Sequence, residues 1–164
     1  MRISGGSKRT PATQVEKQAE EHSAKDMRAA VKKLARSYRD MKNYIAYIQN
    51  KRPTLLKQAK VDLREYKSRG LVTYADYVSL FPKSDRDIIE AYVKCLRGVY
   101  CLEQGIFLIK DERTRAIASD MLLASLKCDK VMERYNLSRS SVFEEKKKAI
   151  EKVAEFMKRY ENQE

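Results

Sequence analysis

Residues 131–153 read VMERYNLSRSSVFEEKKKAIEKV. A short amphipathic run, Val131 to Tyr135, is broken by Asn136-Leu137. Then comes the step Ser138-Arg139-Ser140-Ser141, and after it a long lysine-rich run that favours helix. Two readings fit this pattern. One is a helical hairpin that only packs. The other is a helix-turn-helix that aims Arg139, Ser140 and Ser141 at the edges of DNA bases. In both, Val131, Met132 and Tyr135 form the apolar face of the first helix, and Leu137 plugs the gap between the two. Ser138 is placed to accept a hydrogen bond from the backbone N–H of Ser140 or Ser141, fixing where the second helix starts. Val142, Ala149, Ile150, Val153 and Met157 recur at helical spacing and face inward. Arg139, Ser140 and Phe143 are left facing outward, with Lys146 and Lys147 one turn on. An outward arginine can read guanine with two hydrogen bonds, and hydroxyls can meet a base or a phosphate. Phe143 either touches a thymine methyl or packs on the preceding helix. Glu144 and Glu145 are expected where phosphates would approach, which favours the helix start but repels DNA.

Working outward, residues 1–12, MRISGGSKRTPA, read as a flexible basic arm. From Thr13 to Arg52 no Gly or Pro interrupts one long predicted helix. In it, Met27, Val31, Leu34, Tyr38, Met41, Ile45 and Ile48 alternate spacings of 4 and 3, a seam of period 3.5. The seam either dimerises the chain or packs on its own later helices. Arg28, Lys32, Arg36 and Arg39 lie along one side of this helix, with Lys25 one turn before. This stripe either tracks a phosphate backbone or is a solvated face. Pro53 is expected to stop the helix, Thr54 to cap the next one and Gly70 to close it. Thr73 is expected to cap a short helix that ends near Pro82. Ser84 and Asp87 resemble a capping box for a helix ending at Gly105. IFLIK at 106–110 reads as the buried lead-in to a helix from Glu112 to Leu123. The middle of the chain is thus a helical region spanning 13–110, and residues 111–164 form a second region.

The composition sets the bounds. The chain has 164 residues, 43% of them hydrophobic and 35% charged, with 5 Gly and 3 Pro. This is enough for one all-α unit built from amphipathic helices. The net charge is +12, which points to a polyanion, most often nucleic acid. That charge is uneven: residues 1–52 hold 13 Lys+Arg against 5 Asp+Glu, and residues 128–164 hold 9 against 8. Cys95, Cys101 and Cys128 are an odd number without a CxxC pair, and His22 is the one histidine, so reduced thiols and no zinc set are expected. No run reaches about 18 uninterrupted apolar residues, so no membrane span is expected and a cytoplasmic location is. There is no Walker A loop, GxGxxG, nucleophile elbow or HExxH. Asp85 and Asp87 read as helix-start residues rather than metal ligands. No enzyme, cofactor or metal is expected.

Three successive pieces, DERTRAIASDMLL (111–123), SLKCDKVMERYN (125–136) and LSRSSVFEEKKKAIEKVAEF (137–156), share a rhythm. In this it resembles region four of sigma factors, and more specifically the sigma-like activators of phages of Gram-positive bacteria (the ArpU and RinA type). The resemblance covers about 45 residues, Glu112 to Phe156, and none of the N-terminal two-thirds. It implies a C-terminal helix-turn-helix of the sigma region-four type whose second helix opens at Ser138. It also implies duplex DNA as partner, activation of phage or prophage late genes, and possible contact with host RNA polymerase. The expected site is Arg139, Ser140, Ser141, Phe143 and Lys147 for bases, with Ser138, Lys146, Arg28, Lys32 and Arg36 for the backbone. The seam adds the expectation of a homodimer or higher homo-oligomer. Two rivals remain open. One is a DNA-packaging recognition protein like a terminase small subunit, and the other is a helical adaptor that binds protein through the seam.

Overall fold

A computed structural model describes residues 11–59 and 81–163. The described residues are helical and contain no strand, as the composition predicts. The order is α1 (Pro11–Lys51), α2 (Pro53–Gln58), α3 (Lys83–Phe107) and α4 (Glu112–Ala118). A π-helical turn (Ser119–Leu123), α5 (Cys128–Tyr135) and α6 (Arg139–Gln163) complete it. Among the described residues no helix is long and apolar enough to cross a membrane.

The period-3.5 seam decides the body of the molecule. Val31, Ile45 and Ile48 are buried, and Met27, Leu34, Tyr38 and Met41 pack beside them. Their partners belong to the same chain: Leu102 and Ile106 of α3, Ile150, Val153 and Met157 of α6, and Tyr92, Leu96 and Val99 of α3 further along. Of the two readings of the seam, the internal one therefore holds. A dimer zipped through Met27–Ile48 would need these helices to part. Residues 14–26 of α1, by contrast, are all exposed.

α1 and α3 run antiparallel. Tyr38 donates to Glu103, Gln49 donates to the Tyr92 hydroxyl at 3.0 Å, and Arg52 pairs with Asp85 at 2.8 Å. α3 and α6 also run antiparallel. Tyr100 lies 5.5 Å from Tyr160 and 6.3 Å from Phe156, and Arg97 sits 5.7 Å over the Tyr160 ring. Gly105 permits that crossing: a Cβ there would stand 3.1 Å from the Val153 Cα. α1 and α6 consequently run the same way.

Several expected boundaries move for identifiable reasons. The helix assigned from Thr13 begins at Pro11, a residue suited to a first turn. Residues 1–10 of the expected arm, and the calls on Thr73 and Gly70, lie outside the described residues. Thr54 does not cap α2. Pro53 takes the first helical position, where its missing N–H costs nothing, and Arg52 becomes the N-cap residue without a side-chain bond. The Ser84–Asp87 capping box does not form. Pro82 precedes α3, and Asp85 turns to Arg52 instead. α3 continues past Gly105 to Phe107, so Ile106 and Ile109 are buried while Phe107 and Leu108 are exposed. The helix expected over 112–123 changes to a π turn at Ser119. Ile117 then faces α5 while Ala118 and Leu122 join the body.

Candidate nucleic-acid interface

α4, the π turn, α5 and the first turns of α6 close on Ile117, Val131 and Val142, each fully buried. Met121, Leu126, Met132, Tyr135 and Leu137 pack around them. α5 ends at Tyr135 because Asn136 takes a left-handed conformation, φ 52° and ψ 50°, which asparagine tolerates better than most residues. The Asn136 N–H caps the Met132 carbonyl, and Leu137 N donates to the same oxygen at 3.1 Å. Three residues separate the two helices.

Ser138 performs the expected cap. Its Oγ accepts from Ser141 N at 3.2 Å and donates to Ser141 Oγ at 2.9 Å. Ser140 Oγ lies 3.2 Å from Ser138 Oγ. The three serines therefore form one hydroxyl cluster, and Ser141 is half-buried within it rather than fully outward. Arg139 and Ser140 are exposed. The Arg139 guanidinium lies 5.8 Å from the centroid of the Phe143 ring, itself 48% exposed, so these two side chains form a cation–π pair. Lys147 is exposed and Lys146 half-buried.

The structure corrects the placement of Glu145. It is only 5% exposed, with Thr114 Oγ1 donating to one oxygen and Arg113 reaching the other at 3.3 Å. Lys148 lies 3.6 Å away. These contacts, the Thr114 hydrogen bond foremost, hold the Glu145 carboxyl below its ordinary range. The residue has left the surface where phosphates would approach. Glu144 remains exposed. The sequence carried a signal for this: Glu145 stands three residues after Val142 and four before Ala149, on the buried stripe. Asp111 caps α4 by accepting from Thr114 N at 2.8 Å. Asp120 accepts from the Tyr135 hydroxyl at 2.6 Å and pairs with Arg134 at 3.0 Å, tying the π turn to α5. Burial, then the Asp120 bond, pushes the Tyr135 hydroxyl up. None of these ties was read from the sequence.

The ten expected site residues form two separate sets. Ser138, Arg139, Ser140, Ser141, Phe143, Lys146 and Lys147 cluster at the start of α6. Arg28, Lys32 and Arg36 lie on α1, which meets α6 further along: Ala24, Met27 and Arg28 line a shallow groove with Glu151, Ala154, Glu155 and Lys158. Twelve residues of α6 separate Arg139 from Glu151, roughly 18 Å of helix. Among the described residues, Arg28, Lys32, Arg36 and Arg39 form no ion pair, whereas Lys42 pairs with Glu103 at 3.5 Å. Arg28 is half-buried and faces two glutamates; Lys32 and Arg36 are exposed.

Comparison with protein-family models, curated proteins and solved structures found no match. The geometry therefore stands on its own. It offers a capped helix start with an arginine held on an aromatic ring, two or three hydroxyls and two lysines. Such a surface can donate hydrogen bonds to bases or phosphates.

Proposed function

We propose that the chain binds duplex DNA sequence-specifically as a regulator of transcription, reading bases through the start of α6. One observation carries the reading. A short helix, a three-residue turn and a Ser138-capped long helix share a buried core, and they leave Arg139, Ser140, Phe143 and Lys147 on the outside. A second helix presented in this way could enter the major groove with its first residues toward the bases, which supports the reading. The +12 charge supplies attraction, and the inward turn of Glu145 removes one repulsive group from the reading face. The resemblance to phage sigma-like activators extends the proposal to late-gene activation with contact to host RNA polymerase, without a catalytic role. The packaging reading depends on a self-associating surface, and the seam that first suggested one lies inside the body.

The test begins with selection of bound duplexes from a random pool. On the selected site Arg139→Ala is expected to cost roughly 1–3 kcal/mol and to relax selectivity at one base pair. Its melting temperature should hold, because exposed substitutions usually change stability by less than about 0.5 kcal/mol. Replacing Arg28, Lys32 and Arg36 together with alanine should weaken every sequence alike. The salt slope should then fall by roughly 0.9 per lost phosphate contact. Unchanged affinity and selectivity in Arg139→Ala would leave α5 and α6 as a packing hairpin and favour the adaptor reading.

A further inference from the structure

α3 overshoots Gly105 and ends in two large apolar side chains that nothing among the described residues covers. Phe107 is 70% exposed and Leu108 54%. Leu108 lines a groove of about 500 Å³ between the 105–114 corner and α6, and Phe107 stands next to it in the chain. Gly105, Ile109 and Phe156 give it an apolar floor; Lys110, Lys148, Lys152 and Arg159 give it cations. Its two carboxylates are engaged: Asp111 caps α4, and Glu155 lies 3.6 Å from Lys152. Lys148 is drawn toward Glu145 at 3.6 Å. Lys110 and Arg159 are exposed and form no ion pair among the described residues, so they are open to an incoming anion.

We propose that this groove docks an acidic segment of a partner protein, which lays an apolar side chain against Phe107 and Leu108 and carboxylates against Lys110 and Arg159. Charge selects this occupant. A second copy of the chain also carries +12 and is repelled, whereas an acidic segment is attracted. The apolar pair argues against a phosphate backbone, which has no use for it. Position argues the same way. At ~100° per residue, Arg139, Phe143 and Lys147 fall on one side of α6, and Lys148, Lys152 and Arg159 fall on nearly the opposite side. The groove therefore remains open when the start of α6 is engaged, and the inference does not depend on what α6 reads. An apolar anchor ringed by complementary charge is a common form of peptide recognition.

The probe is a fluorescein-labelled twelve-residue peptide of glutamates and aspartates carrying one Phe and one Leu four residues apart. Its control has both anchors replaced by alanine, and the competitor is an unlabelled twelve-base-pair duplex. Anisotropy is expected to give micromolar binding that weakens roughly tenfold or more without the anchors. The double variants Phe107→Ser/Leu108→Ser and Lys110→Glu/Arg159→Glu should each reduce it similarly. All four positions are exposed, so circular dichroism should match the wild type. Equal binding of probe and control, or no loss in the two variants, overturns the proposal. So does duplex that displaces the probe from the wild type and binds the charge-reversed variant roughly tenfold more weakly, since the groove would then be a phosphate track.

Discussion

The body and the head of the molecule bury different kinds of group. In the body, α1, α3 and α6 share an apolar interior running from Val31 through Leu102 and Ile106 to Val153 and Met157. In the head, three fully buried aliphatic side chains, Ile117, Val131 and Val142, are flanked by inward-facing carboxylates: Glu145 on Thr114 and Arg113, Asp120 on Tyr135 and Arg134. The difference teaches that a count of charges misjudges the head. Acidic residues that look repulsive in the sequence serve as internal ties, and the outward face is more basic than its composition.

The largest effects should come from placing a charge in either interior. Val142→Asp puts an unpaired carboxylate in the head core and should cost on the order of 4 kcal/mol or more. Leu34→Glu does the same to the body, because Leu34 packs against Gly98. Melting should fall in both, with no change in mass by light scattering for Leu34→Glu. A folded Leu34→Glu monomer obtained from a wild-type dimer would mean that the seam joins two chains after all.

Gly105→Ala sharpens the comparison at the α3–α6 crossing. The new methyl meets the Val153 backbone, which cannot swing aside, so a loss of roughly 1–3 kcal/mol is expected despite alanine's better helix propensity. A more stable variant in a urea titration would show that the crossing has slack. Ser138→Ala should cost about 1 kcal/mol through the lost cap, and Ser138→Asp should recover it. Failure of Ser138→Asp to recover it would assign the effect to the serine cluster instead.

The smallest effects at neutral pH lie in the titration limbs. Glu145 and Asp111 are both held below the ordinary carboxylate range. A depressed folded value contributes stability above the unfolded pKa, which is lost as pH falls through the folded one, so the head should weaken below about pH 4. Tyr38 is pushed up by burial and then by its bond to Glu103, and burial also raises Tyr44 and Tyr100. Their contribution is present below about pH 10 and is lost above it. Glu145→Gln should flatten the acid limb and leave the alkaline one in place. An acid limb that stays as steep in Glu145→Gln would mean that Glu145 does not carry it.

Much of this was legible because helical periodicity is local. The seam from Met27 to Ile48, the stripe from Val142 to Met157 and the Ser138 cap each depend on residues within a turn or two. The identity of a seam's partner is not local, since the same apolar spacing suits the chain's own helices and another copy. Glu145 and Thr114 lie 31 residues apart, so their bond has no sequence signature beyond the stripe position. The cap at Thr54 failed because the adjoining Pro53 took the first helical position, and the one at Ser84 because the helix already starts at Lys83, after Pro82. The groove beside Leu108 was hidden because it needs the corner after α3 and the far half of α6 together.

The three free thiols turn the body–head division into a kinetic readout. Cys101 is buried where α3 meets the rest of the body, and burial pushes its thiol up to about 11. Cys128 begins α5 in the head and is half-exposed. Alkylating reagents attack the thiolate. Cys128 can be modified while the chain stays folded, but Cys101 must wait until the body opens. Cys95 on α3 is half-buried as well, so mass spectrometry must follow the peptide that carries Cys101; its labelling over time would count the openings of the body directly, without a dye, a tag or an added residue.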